Sequence, residues 1–351
     1  MIYSALFVME GSAFATQWLI LSTIVLVIVI IQTIHRLDKN CLDENSSPYS
    51  SLGWGNRATI FRGVLIAALA GFLMNPWPGS YLIWLPGCIY TIAAIIDRVD
   101  GYLARITKME SQLGAELDTV YDAIGLLIAP LLAVVYGQLH WSYLLVSIAY
   151  YLFVLGIYLR KFRGQEVYRL PANISRRAIA GFQMGFVAAV LLPIFKPPIT
   201  QMSGIAFMLP LLIGFCVDWL IVRGSLVAGT DKTLVLERLK VFGRNFLLPA
   251  LRLMVLILAT GLIYDAELHQ TQHILILIIA GGAIFLIVTG IAGRAGSAIL
   301  AILMGLYYQD QDVSLFATIL LFSITWIMML GTGRFSLYKW DEDWVNRYDG
   351  A

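Results

Sequence analysis

Runs of about twenty mostly apolar residues recur along nearly the whole chain, most of them long enough to cross the roughly 30 Å hydrocarbon core of a bilayer as a helix. They fall near 13–34, 58–75, 80–97, 113–136, 142–159, 177–195, 203–222, 246–264, 273–291, 295–308 and 314–331, the tenth being the shortest. In lipid only helices and closed barrels satisfy every backbone polar group, and continuous apolar runs of this length read as helices. The expectation is an all-α, polytopic integral membrane protein with about 11 transmembrane helices. Charged residues make up only 13% of the 351-residue chain, against about 25% in an average soluble domain, which excludes a soluble enzyme or a disordered tail. A net charge of +2 gives no reason to expect a nucleic-acid partner. Cys41, Cys88 and Cys216 lie far apart, and His35, His140, His269 and His273 form no ligand-like cluster, so neither a disulfide framework nor a zinc site is expected.

The placement of Lys and Arg orients these spans. With the N-terminus outside, the inner segments collect Arg36, Lys39 and Arg57, then Arg98, Arg105 and Lys108, then the basic loop from Arg160 to Arg177, then Arg223 to Arg244. Arg294, Arg334, Lys339 and Arg347 complete the set. Of 24 basic residues only Lys196 falls outside, while Arg62 and Arg252 sit within spans near the inner end. The expected topology in the cell membrane is therefore N-terminus out and C-terminus cytosolic. The first span starts too far into the chain, and lacks the basic start, to read as a removed signal peptide.

Chemistry concentrates in the segment DRVDGYLARITKMESQLGAELDTVYD, residues 97–122. Acids at a membrane edge are costly and rare. Asp97 and Asp100, at i and i+3, close the third span, and Asp118 and Asp122, at i and i+4, open the fourth, so each pair shares a helix face. A short cytosolic turn between the pairs lets all four carboxylates converge. They cannot all stay ionised in a poor dielectric without a counter-charge, and the natural one is a hard divalent cation, Mg2+ or Mn2+, with two ions fitting four carboxylates. Such a cluster suits phosphoryl transfer from a diphosphate. Gly101 and Gly114 leave side-chain-free surface beside the acids, Ala104 is small, and Arg105 offers a planar fork to a phosphate.

Asp97, Asp100, Gly101, Ala104, Arg105, Gly114, Asp118 and Asp122 fit the pattern D-x2-D-G-x2-A-R-x8-G-x3-D-x3-D at all its fixed positions, and Asn56, Thr59 and Arg62 fit N-x2-T-x2-R. In these motifs, and over roughly residues 50–225, the chain resembles the CDP-alcohol phosphatidyltransferases. The resemblance implies a six-helix core, here with one helix added before it and four after it. It implies a reaction in which the hydroxyl of a small polar acceptor attacks the β-phosphorus of a CDP-alcohol, usually CDP-diacylglycerol, and CMP leaves on the cytosolic side. By resemblance Asp97, Asp100 and Asp118 are metal ligands, and Asp122 meets the second metal and takes the acceptor's proton. Asn56, Thr59, Arg62, Gly101, Ala104, Arg105 and Gly114 resemble the nucleotide and diphosphate pocket. Arg176, Arg177 and Gln183 sit where members with phosphorylated acceptors often carry Lys or Arg. The Lys that commonly follows the last Asp in the glycerophosphate-using branch is replaced by Ala123, and the run from Asp122 to Ala129-Pro130 has the spacing of the serine-using branch, so the acceptor stays open. The partners implied are a CDP-alcohol, the acceptor and membrane lipids; a homodimer is left open.

The expected organisation is an N-terminal transmembrane helix and linker over 1–49, the core over 50–230, an interfacial linker helix over 231–245, a four-helix module over 246–333 and a cytosolic tail over 334–351. The module loosely resembles a DoxX-like four-helix unit, and Gly281, Gly282, Gly290, Gly293 and Gly296 would let its helices pack closely. Taken singly, Arg62 reads more often as a snorkelling residue, Arg176 and Arg177 read equally as positive-inside residues, and Asp218 reads more often as the partner of a nearby Arg. The alternative function is a divalent-cation transporter using the Asp cluster as its ion site. It calls for mid-membrane acids on broken helices in repeated halves, and the sequence has no clear internal repeat.

Overall fold

The computed structural model describes residues 2–43, 46–170, 174–226, 238, 241–268, 274–309 and 311–338, excepting the side chains of 174, 175, 177 and 265–268. The linker helix expected over 231–245, apart from 238 and 241–245, and the tail beyond 338 lie outside the described residues. Among the described residues all regular structure is helical. In chain order the helices are α1 (Ile2–Met9), α2 (Ser12–Ile34), α3 (Trp54–Ala70), α4 (Leu85–Ile106), α5 (Gln112–Val135), α6 (Leu144–Phe162), α7 (Ile174–Val190), α8 (Ile199–Val222), α9 (Leu248–Leu268), α10 (Ile274–Thr289), α11 (Gly293–Tyr307) and α12 (Leu315–Leu330).

The protein is a multi-pass membrane protein. Six helical stretches are long and apolar enough to cross a bilayer: Ser12–Ile34, Ser80–Ile106, Gln112–Val135, Trp141–Phe162, Ile199–Val222 and Gly243–Tyr264. Ala178–Val190, Ile274–Thr289, Gly293–Tyr307 and Leu315–Leu330 are apolar but shorter. At a 1.5 Å rise per residue they reach at most about 24 Å, short of a full hydrocarbon core. Length and apolarity alone thus mark six crossings where the sequence suggested eleven.

Contacts divide the chain into two compact units, Met1–Ser147 with Met184–Ile194, and Ile148–Gln183 with Phe195–Ala351. In the first unit α3 packs against α2, α4 and α5. Glycines allow this crowding. A Cβ on Gly55 would lie 2.8 Å from Ala104 Cβ on α4, one on Gly63 would lie 2.9 Å from Val29 on α2, and one on Gly71 would lie 2.6 Å from Trp18. Small residues let helices approach where lipid offers no hydrophobic drive to pair them. Enclosed in this way, the 17-residue α3 can carry Asn56, Thr59 and Arg62 buried. Pro130 lies inside α5 and cannot donate to the carbonyl of Leu126. The Ser147 hydroxyl donates to that carbonyl instead, at 2.6 Å, so the backbone group stays satisfied.

The acidic segment departs from its expected form. The third span was expected to close at Asp97, with the fourth opening near 113. Helix α4 instead runs on past both acids to Ile106, and residues 107–111 turn into α5. Asp97 and Asp100 therefore sit on a continuous helix about two turns before its end. A ruler of membrane thickness measures the apolar run, whereas the helix continues through any residues that lack a breaker, and GYLARI contains none strong enough.

In the second unit a core of Val255, Ala259, Ile284, Ile287, Leu300, Leu320 and Ile324 joins α9 to α12. Arg252 is buried on α9, and its guanidinium bonds among the described residues all go to main-chain oxygens: Ile287 at 3.0 Å, Arg334 at 3.1 Å, Thr332 and Phe335 at 3.4 Å, and Val288. Of the glycines expected to permit close packing, Gly296 and Gly293 do so, against Ala283 and Thr332, and Gly290 turns the chain at φ +72. Gly281 and Gly282 have nothing within 4 Å of a built Cβ and serve no close contact among the described residues.

Candidate active site

Three helices of the first unit bring the site together: α3 supplies Asn56, Thr59 and Arg62, α4 supplies Asp97, Asp100, Gly101, Ala104 and Arg105, and α5 supplies Gly114, Asp118 and Asp122. Carboxylate oxygens of Asp97, Asp118 and Asp122 all lie within 4.8 Å of one another. Arg62 stands among them with a side chain only 1% exposed. One of its terminal nitrogens meets Asp97, and the other meets Asp118 Oδ1 at 2.8 Å, the Asp118 carbonyl at 3.1 Å and Asp122 Oδ1 at 3.3 Å. One guanidinium against three carboxylates leaves a formal excess of two negative charges. The Asp118 and Asp122 side chains are about half exposed, at 46% and 48%, so the cluster is open on that side. Hard oxygen donors carrying surplus negative charge suit Mg2+ or Mn2+, so the residues present fit a divalent cation.

Asp100 is turned differently from the other three. It is buried, its Oδ2 accepts from Thr59 Oγ1 at 2.8 Å, and its Oδ1 accepts from the Gly101 backbone N–H at 2.7 Å. Two neutral donors hold this carboxylate in place and leave lone pairs for a cation. Thr59 is itself anchored to the Gly55 carbonyl at 3.1 Å.

The glycine and alanine positions divide into two kinds. A Cβ on Gly101 would meet only the Arg105 guanidinium, at 3.4 Å, so this surface is open beside the acids. Ala104 packs on Gly55 and is small because α3 and α4 touch there. A Cβ on Gly114 would fall 2.5 Å from Asn56 Oδ1. Asn56 cannot easily yield, because it donates to Asn40 Oδ1 and to Ser111 Oγ, each at 2.9 Å, and accepts from Ser111 at 3.0 Å. Ser111 in turn caps α5 by accepting from the Gly114 N–H at 3.1 Å. Gly114→Ala should therefore lower stability by about 1–3 kcal/mol, as overpacking does. Gly101→Ala should leave the melting temperature close to that of the unaltered protein. Thermal unfolding in detergent checks both.

Arg105 is exposed on α4. Arg176 and Gln183 belong to the second unit, where Arg176 pairs with Asp218 at 3.4 Å and Gln183 is buried. The side chain of Arg177 lies outside the described ones. Sequence reasoning missed Asn40, Ser111 and Tyr121. Ser111 stands immediately before the apolar periodicity of α5, an N-cap signal that could have found it. Asn40 and Tyr121 act across 16 and 88 residues of chain and leave no local signature.

Residues 54–216 match the model of a family described as CDP-alcohol phosphatidyltransferase. Over 128 residues the chain is 29% identical to the CDP-diacylglycerol–glycerol-3-phosphate 3-phosphatidyltransferase of Cereibacter sphaeroides, an alignment covering 36% of this chain and 56% of that relative. The chain thus spans little more than half the length of this curated relative. No solved structure matches the chain.

Proposed function

We propose that this chain, whose residues 54–216 match the CDP-alcohol phosphatidyltransferase family model, is a phospholipid synthase of the membrane. It transfers a phosphatidyl or related phospho-alcohol group from a CDP-alcohol, foremost CDP-diacylglycerol, to the hydroxyl of a small polar acceptor. The observation that carries this reading is the convergence of Asp97, Asp118 and Asp122, in the motif positions of two helices long and apolar enough to cross a membrane, around Arg62 of α3.

In the reaction the acceptor oxygen bonds to the β-phosphorus, the bond from that phosphorus to the bridging oxygen breaks, and CMP departs with the bridging oxygen. Asp122, half-exposed at the open side, receives the acceptor's proton. Asp97, Asp100, Asp118 and Asp122 would hold Mg2+ or Mn2+, which when bound offsets diphosphate charge and acidifies the acceptor hydroxyl. Thr59 and the Gly101 N–H fix Asp100, and Arg62 fixes the other three. Arg105 and the open face of Gly101 border the diphosphate, with Asn56, Ala104 and Gly114 shaping the packing beneath. The site faces the cytosol, with the N-terminus outside and the C-terminus inside, since the turn after α4 is basic through Arg105 and Lys108. We take residues 50–230 as the catalytic core, and the four helices of 246–333 pack with α8 in the second unit.

The test is CMP release by the purified protein with CDP-diacylglycerol and Mg2+ or Mn2+, against serine, inositol, glycerol and glycerol 3-phosphate, followed by mass spectrometry of the lipid product. Release with one acceptor, abolished by a chelator, is expected. No CMP from any acceptor overturns the reading.

A further inference from the structure

The family match begins at residue 54, yet the chain ahead of it is tied to the acid-bearing helix α5 at several points. The Thr33 and Tyr121 hydroxyls lie 2.6 Å apart, and Tyr121, wholly buried between Asp118 and Asp122 in sequence, also donates to the Val29 carbonyl at 3.2 Å. Arg36 and Lys39 pair with Glu116 at 3.1 Å and 2.5 Å. The Gln112 N–H, one of the unpaired donors of the first turn of α5, bonds the Cys41 carbonyl at 2.9 Å. Tyr49 donates its hydroxyl to the Glu110 carbonyl at 3.2 Å.

Asn40 joins these contacts. It is buried, its backbone carbonyl accepts from the Tyr49 N–H at 2.8 Å, and its Nδ2 reaches the carbonyls of Ser51 and Tyr49 at 3.2 Å and 3.4 Å. Its Oδ1 accepts from Asn56, which holds Ser111, the cap of α5.

We propose that residues 33–43 and 46–51 form a brace that sets the rotation of α5, and so the aim of Asp118 and Asp122, with Asn40 as its central positioning residue. At about 100° per residue, Glu116 lies about 160° from Asp118 around the helix in one sense, and Tyr121 about 60° in the other. Contacts on both flanks of the acidic face resist rotation either way. A contact on one flank alone would leave the helix free to roll. The brace lies ahead of residues 54–216, the stretch that matches the family model. This inference rests on the proposed activity for its catalytic arm and is independent of it for its metal arm.

The experiment uses the full-length protein in phosphatidylcholine nanodiscs. Mn2+ alone is titrated and followed by electron paramagnetic resonance, and kcat and KM for CDP-diacylglycerol are taken from CMP release. Asn40→Ala is expected to weaken Mn2+ binding and lower kcat, each about 10-fold, as loss of a group supporting metal ligands does. Asn40→Asp keeps an oxygen facing Asn56 Nδ2 but sets its other oxygen against the Ser51 and Tyr49 carbonyls, so it should recover only part of the Mn2+ affinity. Should Asn40→Ala not fold, Thr33→Val removes the hydroxyl that contacts Tyr121 and the Val29 carbonyl, and should lower Mn2+ affinity about 5-fold. A lowered melting temperature with wild-type Mn2+ affinity and kcat in the folded fraction overturns the brace, as does Asn40→Ala behaving like wild type throughout. A wild-type protein that binds Mn2+ but releases no CMP sinks the proposed activity, while the Mn2+ titrations of the variants still decide the brace.

Discussion

Asp122→Asn should lower CMP release by at least about 100-fold, the lower end of what a positioned base contributes. The carboxamide keeps the size of the carboxylate but cannot accept the acceptor's proton. Asp97 and Asp118 still face each other across Arg62 in this variant, so Mn2+ binding should survive with a modest loss. Asp97→Ala and Asp118→Ala should behave in the opposite order, losing Mn2+ first and turnover as a result. Parallel measurement of Mn2+ affinity and CMP release separates the two patterns. Wild-type turnover in Asp122→Asn would remove it from the chemistry.

Arg62→Met should give the largest loss of stability. The guanidinium is buried and faces three carboxylates; removing one side of a fully buried charge group costs about 3–5 kcal/mol, and the cost here should be at or below the lower end because Asp118 and Asp122 are half exposed to water. The melting temperature in chelator should fall accordingly. Mg2+ or Mn2+ should then raise it far more in the variant than in wild type, since the cation supplies the missing counter-charge and binds only the folded state. If chelator and metal give the same melting temperature in Arg62→Met, the three acids do not form a cation site.

Much of this site was legible in the sequence because its motif is local. Asp97, Asp100, Asp118 and Asp122 announce themselves by spacing, and three of them meet as that spacing suggests. Arg62 was visible as part of a second motif, but its partners were not. A pairing across 35 and 56 residues depends on how α3 lies between α4 and α5, and that is set by Gly55 and Gly63, whose sequence context is ordinary. The apolar runs located the helices well and their ends poorly. Helix α3 starts at Trp54, four residues before its apolar run, because its polar first turns are shielded by neighbouring helices. Asn40 escaped notice for the same reason as Arg62: its value comes from a neighbour brought in by the fold.

Arg252 shows how the second unit tolerates change. The oxygens it binds, on Ile287, Val288, Thr332, Arg334 and Phe335, all belong to peptide groups, which any amino acid provides equally. Side-chain changes at these positions therefore leave the anchor's oxygens in place wherever packing permits them, which it restricts at Ile287 and Thr332. The arginine itself has no such freedom, so relatives of this module should vary in sequence around an invariant cation.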